Sequence, residues 1–160
     1  MSEVQKIKDL TPQFQFVVLI NSNIIEQILT QIICVEIAKD WSKSLDFVDY
    51  FEKLRFSNKI DLAKIILKNN HPKILKNYSN FFAELENVKK WRNEIAHNPI
   101  AYERDSNEQN ARLVFGHKEI IKQRRLTEKQ MRSIMKKAEK CTLDVRNIWT
   151  LIGKTKGLSF

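Results

Sequence analysis

The longest apolar pattern in this 160-residue chain lies near its beginning and repeats with the period of an α-helix. Apolar side chains recur every three or four positions between about Gln13 and Lys39, which predicts a first helix over that range. Further apolar residues lie off this stripe, at Leu19, Leu29 and Ile33. A helix that is apolar on most sides is either the central helix of a bundle or is buried on two sides by a second chain.

Two shorter helical patterns follow the first. Asp46 is a suitable N-cap for a helix over 47–54, and Ser57 is a suitable N-cap for a second helix over 59–68. The run Asn-Asn-His-Pro at 69–72 ends the second helix, because these residues favour turns and proline interrupts helical hydrogen bonding.

A longer helix is predicted from Lys73 to His97. It ends there because Asn98 precedes Pro99, and a residue before proline avoids the α region. Residues 100–110 are polar and irregular in pattern.

The remaining chain predicts a small hairpin and one more helix. Residues 111–115 and 119–126 flank Gly116-His117-Lys118, which favours a β-hairpin, although a helical pattern also fits. Thr127, with Gln130 three positions later, has the pattern of a capping box, and a single apolar face from Met131 to Ile152 follows it.

These elements predict an all-α fold, a bundle of four to five helices with a small β-hairpin near residues 111–125. The 160 residues suit a single domain, residues 1–160. Only 3 glycines and 3 prolines occur. This scarcity excludes a glycine-rich phosphate-binding loop and argues against β-sandwiches and barrels, which need frequent turn residues.

The net charge of +9 is concentrated at one end of the chain. Residues 117–160 contain twelve basic and four acidic residues, whereas the preceding part is nearly balanced. A basic segment suggests a polyanionic partner, RNA or DNA before an acidic protein, and the alternative is a solvated helix face. The two cysteines, Cys34 and Cys141, lie in apolar helical patterns, so we expect a reducing, cytoplasmic environment and no membrane span.

The chemically informative stretch is the end of the predicted Lys73–His97 helix. On helical geometry Arg92 lies within about 20° of Phe81, in the middle of an apolar stripe. A guanidinium facing a core is costly unless it is paired. Arg92 therefore either reaches a buried carboxylate, such as Glu26 or Glu36, or faces a cleft or second subunit where an anion binds.

Asn93 and His97 lie one turn apart on a shared face, so the amide can orient the imidazole. Histidine moves protons near neutral pH, and arginine binds phosphate through two parallel hydrogen bonds. Arginine, histidine and a polar orienting group are a minimal set for metal-free cleavage of RNA, in which the ribose 2′-hydroxyl attacks the phosphate. The alternative is structural: His97 caps its helix, and Arg92 closes an internal salt bridge.

Arg92-Asn93 followed by His97 matches the R-N-x-x-x-H motif and resembles the HEPN (higher eukaryotes and prokaryotes nucleotide-binding) superfamily. The following Asn98-Pro99-Ile100 and the upstream segment 56–62 are also similar to that superfamily. The resemblance covers about residues 14–150. It implies a helical bundle that forms a homodimer, with the motif helices near the two-fold axis.

The resemblance also implies a function. Many HEPN proteins are metal-independent endoribonucleases of toxin–antitoxin, CRISPR or anti-phage systems. Carried over, Arg92 and His97 become the catalytic pair, Asn93 the polar residue beside Arg92, and two chains form one composite cleft for single-stranded RNA. A cognate antitoxin or another defence protein is then a further expected partner.

Two features bear on this interpretation. HEPN toxins that are paired with a nucleotidyltransferase usually have tyrosine two residues after the histidine, where this chain has Pro99, with Tyr102 the nearest tyrosine. Mannitol operon repressor-like proteins carry a similar R-N-x-x-A-H stretch and resemble regulatory or interaction proteins. The alternative function is therefore a non-catalytic regulatory protein.

RNA contacts are predicted from two groups of residues. Lys89 and Lys90 flank Trp91, whose ring either stacks on a base or packs in the core. The last helix carries a basic stripe of Lys129, Arg132, Lys136 and Lys140. No metal site or cofactor is expected, because His71, His97 and His117 lie on separate segments without a metal-ligand spacing.

Overall fold

The computed structural model describes residues 3–39, 41–98, 100–104, 111–115 and 124–157. Within these ranges the helices are α1 (Glu3–Ala38), α2 (Trp41–Ser44), α3 (Val48–Glu52), α4 (Phe56–Asn70), α5 (Pro72–Asn77), α6 (Phe81–His97) and α7 (Glu128–Thr155), with a 3-10 turn at Leu45–Phe47. The strands are β1 (Ile100–Arg104), β2 (Ala111–Phe115) and β3 (Arg124–Leu126). The predicted fold class, an all-α bundle with a small hairpin, is confirmed.

Helix α1 is the central helix of the bundle. It packs against α4, α6, α7 and the strand β2. Leu29 and Ile33, which lie off its main stripe, are completely buried within this single chain. The central position of α1 in the bundle therefore accounts for the burial of these two residues.

Helix α1 begins about ten residues before the predicted start, with Pro12 inside it. Proline removes one backbone hydrogen bond from a helix interior. Ile7 and Leu10 continue the apolar period before Pro12, and both are buried. Their packing stabilises a first segment that the proline alone would argue against.

The buried side chains form two core clusters. The sheet-side core joins the first half of α1 to the sheet and to the start of α7, through Ile7, Leu10, Phe14, Val18, Ile95, Leu113, Phe115, Leu126, Met131 and Met135. The bundle-side core joins the second half of α1 to α4, α6 and α7, through residues that include Ile25, Leu29, Ile60, Leu67, Leu85 and Val145. Helix α6 contributes to both clusters, so its position is fixed along its length.

The short helices differ from the prediction in their boundaries. Helix α4 begins at Phe56, and the Ser57 hydroxyl contacts Asn58 Oδ1 at 3.4 Å instead of capping the helix. Asp46 lies in the 3-10 turn. The predicted helix from residue 73 to residue 97 is two helices, because the chain turns at residues 78–80 between α5 and α6.

The three strands form one antiparallel sheet in the order β1-β2-β3. The predicted strand 111–115 is present, and Leu113 pairs with Leu126 as a hairpin requires. The predicted turn at 116–118 and most of the second predicted strand lie outside the described residues. Residues 100–104, expected to be irregular, form β1, in which Tyr102 pairs with Leu113.

Helix α7 begins with the predicted capping box. The amide of Gln130 donates to Thr127 Oγ1 at 3.3 Å, and the amide of Thr127 donates to Gln130 Oε1 at 2.9 Å. The predicted apolar face from Met131 to Ile152 packs along α1.

Helix α1 is long and apolar enough to cross a membrane by length and composition alone, with a mean hydropathy of 1.5 over 18 residues. The core helix of a soluble protein and an N-terminal signal sequence pass the same test. In this fold α1 contributes buried residues to both core clusters.

Candidate functional site

Helix α6 positions the sequence motif. Its apolar residues Phe81, Leu85, Val88 and Ile95 are buried within the chain, where α6 packs against α1, α4 and α7. The expectation that this stripe faces a partner subunit is therefore wrong. His97 is the last residue of α6, and β1 begins three residues later.

Arg92 lies beside Ile95 on the inner side of α6 and is partly buried. Its Nη1 donates a hydrogen bond to Asn93 Oδ1 at 3.3 Å. Within the part of the chain that the structure describes, this is the only polar contact of the guanidinium. The neighbouring amide thus limits the rotation of Arg92 without neutralising its charge.

Neither of the two carboxylates considered as partners binds Arg92. Glu26 Oε1 accepts a hydrogen bond from the buried ammonium of Lys59 at 2.9 Å. Glu36 Oε1 lies 2.9 Å from His71 Nε2 and 3.2 Å from Lys156 Nζ. The internal salt bridge proposed as the structural explanation of Arg92 is therefore wrong for both residues.

His97 is exposed, and in the described ranges its ring makes no hydrogen bond or ion pair. It lies about 140° around the helix from Arg92, since five residues separate them. Asn93 and Lys90 lie on the same exposed side as His97. We call the surface of Lys90, Asn93 and His97 the motif face. One chain therefore presents His97 outward, whereas Arg92 lies on a different, partly buried side of α6.

The other predicted RNA-binding residues on α6 have mixed surroundings. Lys89 forms an ion pair with Glu86. The ammonium of Lys90 lies 6.0 Å from the centre of the Trp91 ring. Trp91 is partly buried and packs against Phe115, with 6.2 Å between ring centres. Packing thus accounts for one side of Trp91, and base stacking by its ring stays a prediction.

The basic stripe on α7 is exposed along its length. Arg132 Nε donates to Glu128 Oε1 at 2.8 Å. Lys140 Nζ donates to Asp144 Oδ2 at 2.6 Å, and this hydrogen bond raises the pKa of Lys140. Lys129 and Lys136 have no such carboxylate partner among the described residues, so they are the stripe's available cations.

Three grooves on the surface of the bundle are lined by described residues. One of about 620 Å³ lies between α1 and the short helices α2 to α4, and another of about 230 Å³ lies between α6 and α7 beside Trp91. The third, of about 490 Å³, lies between α4, α5 and α6. None of the three is lined by Arg92, Asn93 or His97.

The third groove was not predicted from the sequence, although the spacing of its lining residues indicates it. Lys64 and Lys68 lie one turn apart on α4, and the same spacing separates Tyr78, in the turn before α6, from Phe82 on its first turn. The prediction of one continuous helix from residue 73 to residue 97 concealed the turn that brings these pairs together.

Both cysteines are buried, which agrees with their apolar helical positions. Burial raises the pKa of Cys34, and burial with the nearby Asp144 raises the pKa of Cys141 to about 12. Such thiols stay protonated at neutral pH and are poor nucleophiles. In the described residues, no group of three or more His, Cys, Asp or Glu side chains is arranged to hold a metal ion.

Comparison of the chain with protein-family models, with curated proteins and with solved structures finds no match in any of the three.

Proposed function

We propose that this chain is a metal-independent endoribonuclease of the HEPN type, which cleaves single-stranded RNA with Arg92, Asn93 and His97. The observation that carries the proposal is the position of these residues at the C-terminal end of α6. Arg92 keeps a charge that no described carboxylate neutralises, and His97 is exposed, with no hydrogen bond or ion pair to its ring in the described ranges. A buried structural arginine would instead require a paired carboxylate.

In this mechanism each residue has one role. His97 takes the proton from the ribose 2′-hydroxyl, whose oxygen attacks the adjacent phosphorus. Arg92 binds the phosphate and stabilises the charge that develops on its oxygens, while Asn93 orients Arg92. The P–O5′ bond breaks, the 5′-oxygen takes a proton from water and leaves as a hydroxyl, and a 2′,3′-cyclic phosphate remains.

A homodimer fits this geometry. Arg92 and His97 lie on different sides of α6, so the proposed cleft would combine Arg92 of one chain with His97 of a second chain related to it by a two-fold axis. Burial of the main apolar stripes does not itself require a dimer, because α1 and α6 bury these stripes within one chain. Phe16 and Ile20, 66% and 39% exposed and one turn apart, still offer apolar surface to a partner.

The proposed setting follows from the same resemblance. Such a ribonuclease acts on cellular or phage RNA in the cytoplasm, in a toxin–antitoxin or anti-phage defence system. A cognate antitoxin or other defence protein would bind it and cover the motif face.

The alternative is a non-catalytic regulatory protein similar to mannitol operon repressors. One observation favours it: none of the three grooves contains Arg92, Asn93 or His97. No groove lined by these described residues therefore encloses the motif. The alternative keeps the fold and assigns the motif face to a protein partner.

The test is cleavage of a fluorescent single-stranded RNA in the presence of EDTA, with analysis of the product ends. We expect cleavage to persist and to leave 2′,3′-cyclic phosphate or 3′-phosphate ends. His97→Ala and Arg92→Ala should each lower the rate by about 10²–10⁴-fold. Arg146→Ala, which removes an exposed arginine from α7, is the matched control and should cut at the wild-type rate.

Two results would contradict the proposal. If the folded wild-type protein cuts no RNA, the regulatory alternative is favoured. If His97→Ala cuts as fast as wild type while circular dichroism shows an unchanged fold, the catalytic residues have been misassigned.

A further inference from the structure

The groove between α4, α5 and α6, which we call the α4–α6 groove, exists because the chain turns between the last two of these helices. The amide of Tyr78 donates to Leu75 O at 3.0 Å, and the amide of Phe81 donates to Tyr78 O at 2.9 Å. These bonds hold α5 at an offset from α6 and leave about 490 Å³ between them and α4. That volume is within the range of small-molecule sites, roughly 300–1,000 Å³.

Positive charge surrounds this groove. Lys64 and Lys68 reach it from α4, and Lys76 reaches it from α5. None of the groove's described lining residues is acidic. Unlike the ion-paired residues of the α7 stripe, these three lysines have no carboxylate partner in the described ranges. Like charges held together repel one another, so an anion bound between them would be stabilised.

Aromatic rings form the opposite part of the lining. Tyr78 and Phe82 are partly buried, and each packs one side against the bundle-side core. Lys64 Nζ lies 5.9 Å from the centre of the Phe82 ring. The rings are therefore fixed by packing while part of their surface stays open to the groove. Ser79 also lines the groove.

We propose that the α4–α6 groove binds a nucleotide, with its phosphates on Lys64, Lys68 and Lys76 and its base on Tyr78 and Phe82. Cations beside rings suit a ligand that is anionic at one end and flat and aromatic at the other. A free phosphate would leave the rings unused, and an apolar molecule would leave three ammonium groups without a partner. The nucleotide is either free or part of single-stranded RNA.

This site is separate from the motif face. Arg92, Asn93 and His97 are not among the residues that line the groove. Binding there does not depend on the proposed ribonuclease activity, and it is measured without any cleavage step.

The test measures binding of two probes to the full chain. One probe is ATP, by calorimetry, with adenosine and inorganic triphosphate as its separate halves. The other is a fluorescent 2′-O-methyl oligoadenylate, by anisotropy, because this RNA lacks the hydroxyl that cleavage requires. We expect ATP, the oligoadenylate or both to bind. If ATP binds, it should bind more tightly than either adenosine or inorganic triphosphate alone.

Variants assign the binding to the groove. Lys68→Glu with Lys76→Glu should weaken binding at least tenfold. Lys43→Glu with Lys53→Glu changes the net charge equally at two exposed positions elsewhere, and should have an effect of less than threefold. Phe82→Leu keeps an apolar side chain but removes the ring, and should weaken nucleotide or oligoadenylate binding while leaving triphosphate binding unchanged.

The probes also distinguish the two sources of the nucleotide. If ATP has the higher affinity when both affinities are expressed per nucleotide, the ligand of the groove is a free nucleotide. If the oligoadenylate has the higher affinity, the ligand is single-stranded RNA. The proposal is wrong if neither probe binds, if both charge-reversal variants weaken binding equally, or if Phe82→Leu leaves every affinity unchanged.

Discussion

Glu36 Oε1 lies 2.9 Å from His71 Nε2, which joins the last turns of α1 to the junction of α4 and α5. The same oxygen lies 3.2 Å from Lys156 Nζ at the end of α7, and Asn70 Nδ2 donates to the other oxygen at 2.7 Å. The Glu36 side chain is only 4% exposed. One buried carboxylate therefore holds three helix ends together, far along α1 from the residues that position the motif.

The first prediction concerns the contribution of Glu36 to stability. Glu36→Gln removes the charge that His71 and Lys156 face, while the side chain keeps its size. The free energy of unfolding should fall by about 1–3 kcal/mol, because buried partners lose hydrogen bonds to an ionised group. Urea unfolding at neutral pH measures it. Glu139→Gln on the exposed side of α7 is the control and should change stability by less than about 0.5 kcal/mol.

The second prediction concerns acid. Burial alone would raise the pKa of Glu36, but hydrogen bonds from His71, Asn70 and Lys156 outweigh it and lower the pKa from its ordinary value of 4.5. Below pH 4.5 the unfolded chain therefore takes up this proton before the folded chain does. The stability that Glu36 contributes is present above that pH and is lost as the pH falls through its lowered folded pKa.

The difference in unfolding free energy between wild type and Glu36→Gln isolates this group from the other carboxylates. It should be largest near neutral pH and should shrink in urea titrations over the interval in which the pH falls below 4.5. A difference that stays constant over this interval would mean that the charge of Glu36 is not what stabilises the fold.

Much of the helical bundle was predictable because local signals and burial agree. In α7 the capping box of Thr127 and Gln130 and a single apolar face select the same helix. At the end of α6, Asn98 before Pro99 stops the helix at His97, as predicted. At these positions the backbone preference of each residue and its tertiary environment favour the same structure.

The errors occur where tertiary contacts override a local preference. Pro12 argues against helix, yet Ile7 and Leu10 bury enough apolar surface to extend α1 through it. Residues 100–104 lack the alternation of apolar and polar residues that marks a half-buried strand, but pairing with β2 makes them a strand. Such pairing depends on a distant segment, which a local pattern does not contain.

The candidate site was predictable only in part. The motif placed Arg92, Asn93 and His97 on one helix end, and the helical period placed Arg92 on the inner side. Which carboxylates lay near Arg92 depended on how α1 and α4 pack, so Glu26 and Glu36 could not be assigned to Lys59 and His71 from spacing. The α4–α6 groove could not be predicted from a local pattern, because it forms where three helices meet and depends on the turn at residues 78–80.

The third prediction concerns the homodimer. If two motif faces meet at a two-fold axis, His97→Cys should be joined to its counterpart in a second chain by a short bismaleimide cross-linker. The native cysteines are buried and should not interfere. Lys154→Cys, exposed on α7, is the control and should cross-link far less. Denaturing gels at micromolar protein concentration measure the product.

Light scattering at the same concentration supplies the second measurement. A specific dimer of this kind should bury roughly 1,200–2,000 Å² and remain associated at micromolar concentration. A monomer in solution, or equal cross-linking of both cysteine variants, would remove the composite cleft from the proposed mechanism.

The last prediction separates binding of RNA from its cleavage. Lys129 and Lys136 are the cations of the α7 stripe without a described carboxylate partner, whereas Arg132 is already paired with Glu128. If the stripe binds the RNA backbone, Lys129→Glu with Lys136→Glu should weaken binding of all sequences alike. The salt dependence should also become shallower, by roughly 0.7 in slope for each lost phosphate contact on a single strand.

Cleavage at saturating RNA should stay near the wild-type rate, because neither lysine lies on the motif face. The matched control is again Lys43→Glu with Lys53→Glu, which lowers the net charge by the same amount without touching the stripe. If the α7 variant and this control reduce the affinity for RNA equally, the loss is caused by the lower net charge and not by the position of the lysines. If neither affinity nor salt slope changes, the α7 lysines only keep an exposed helix face solvated, and the backbone of the RNA must follow another surface.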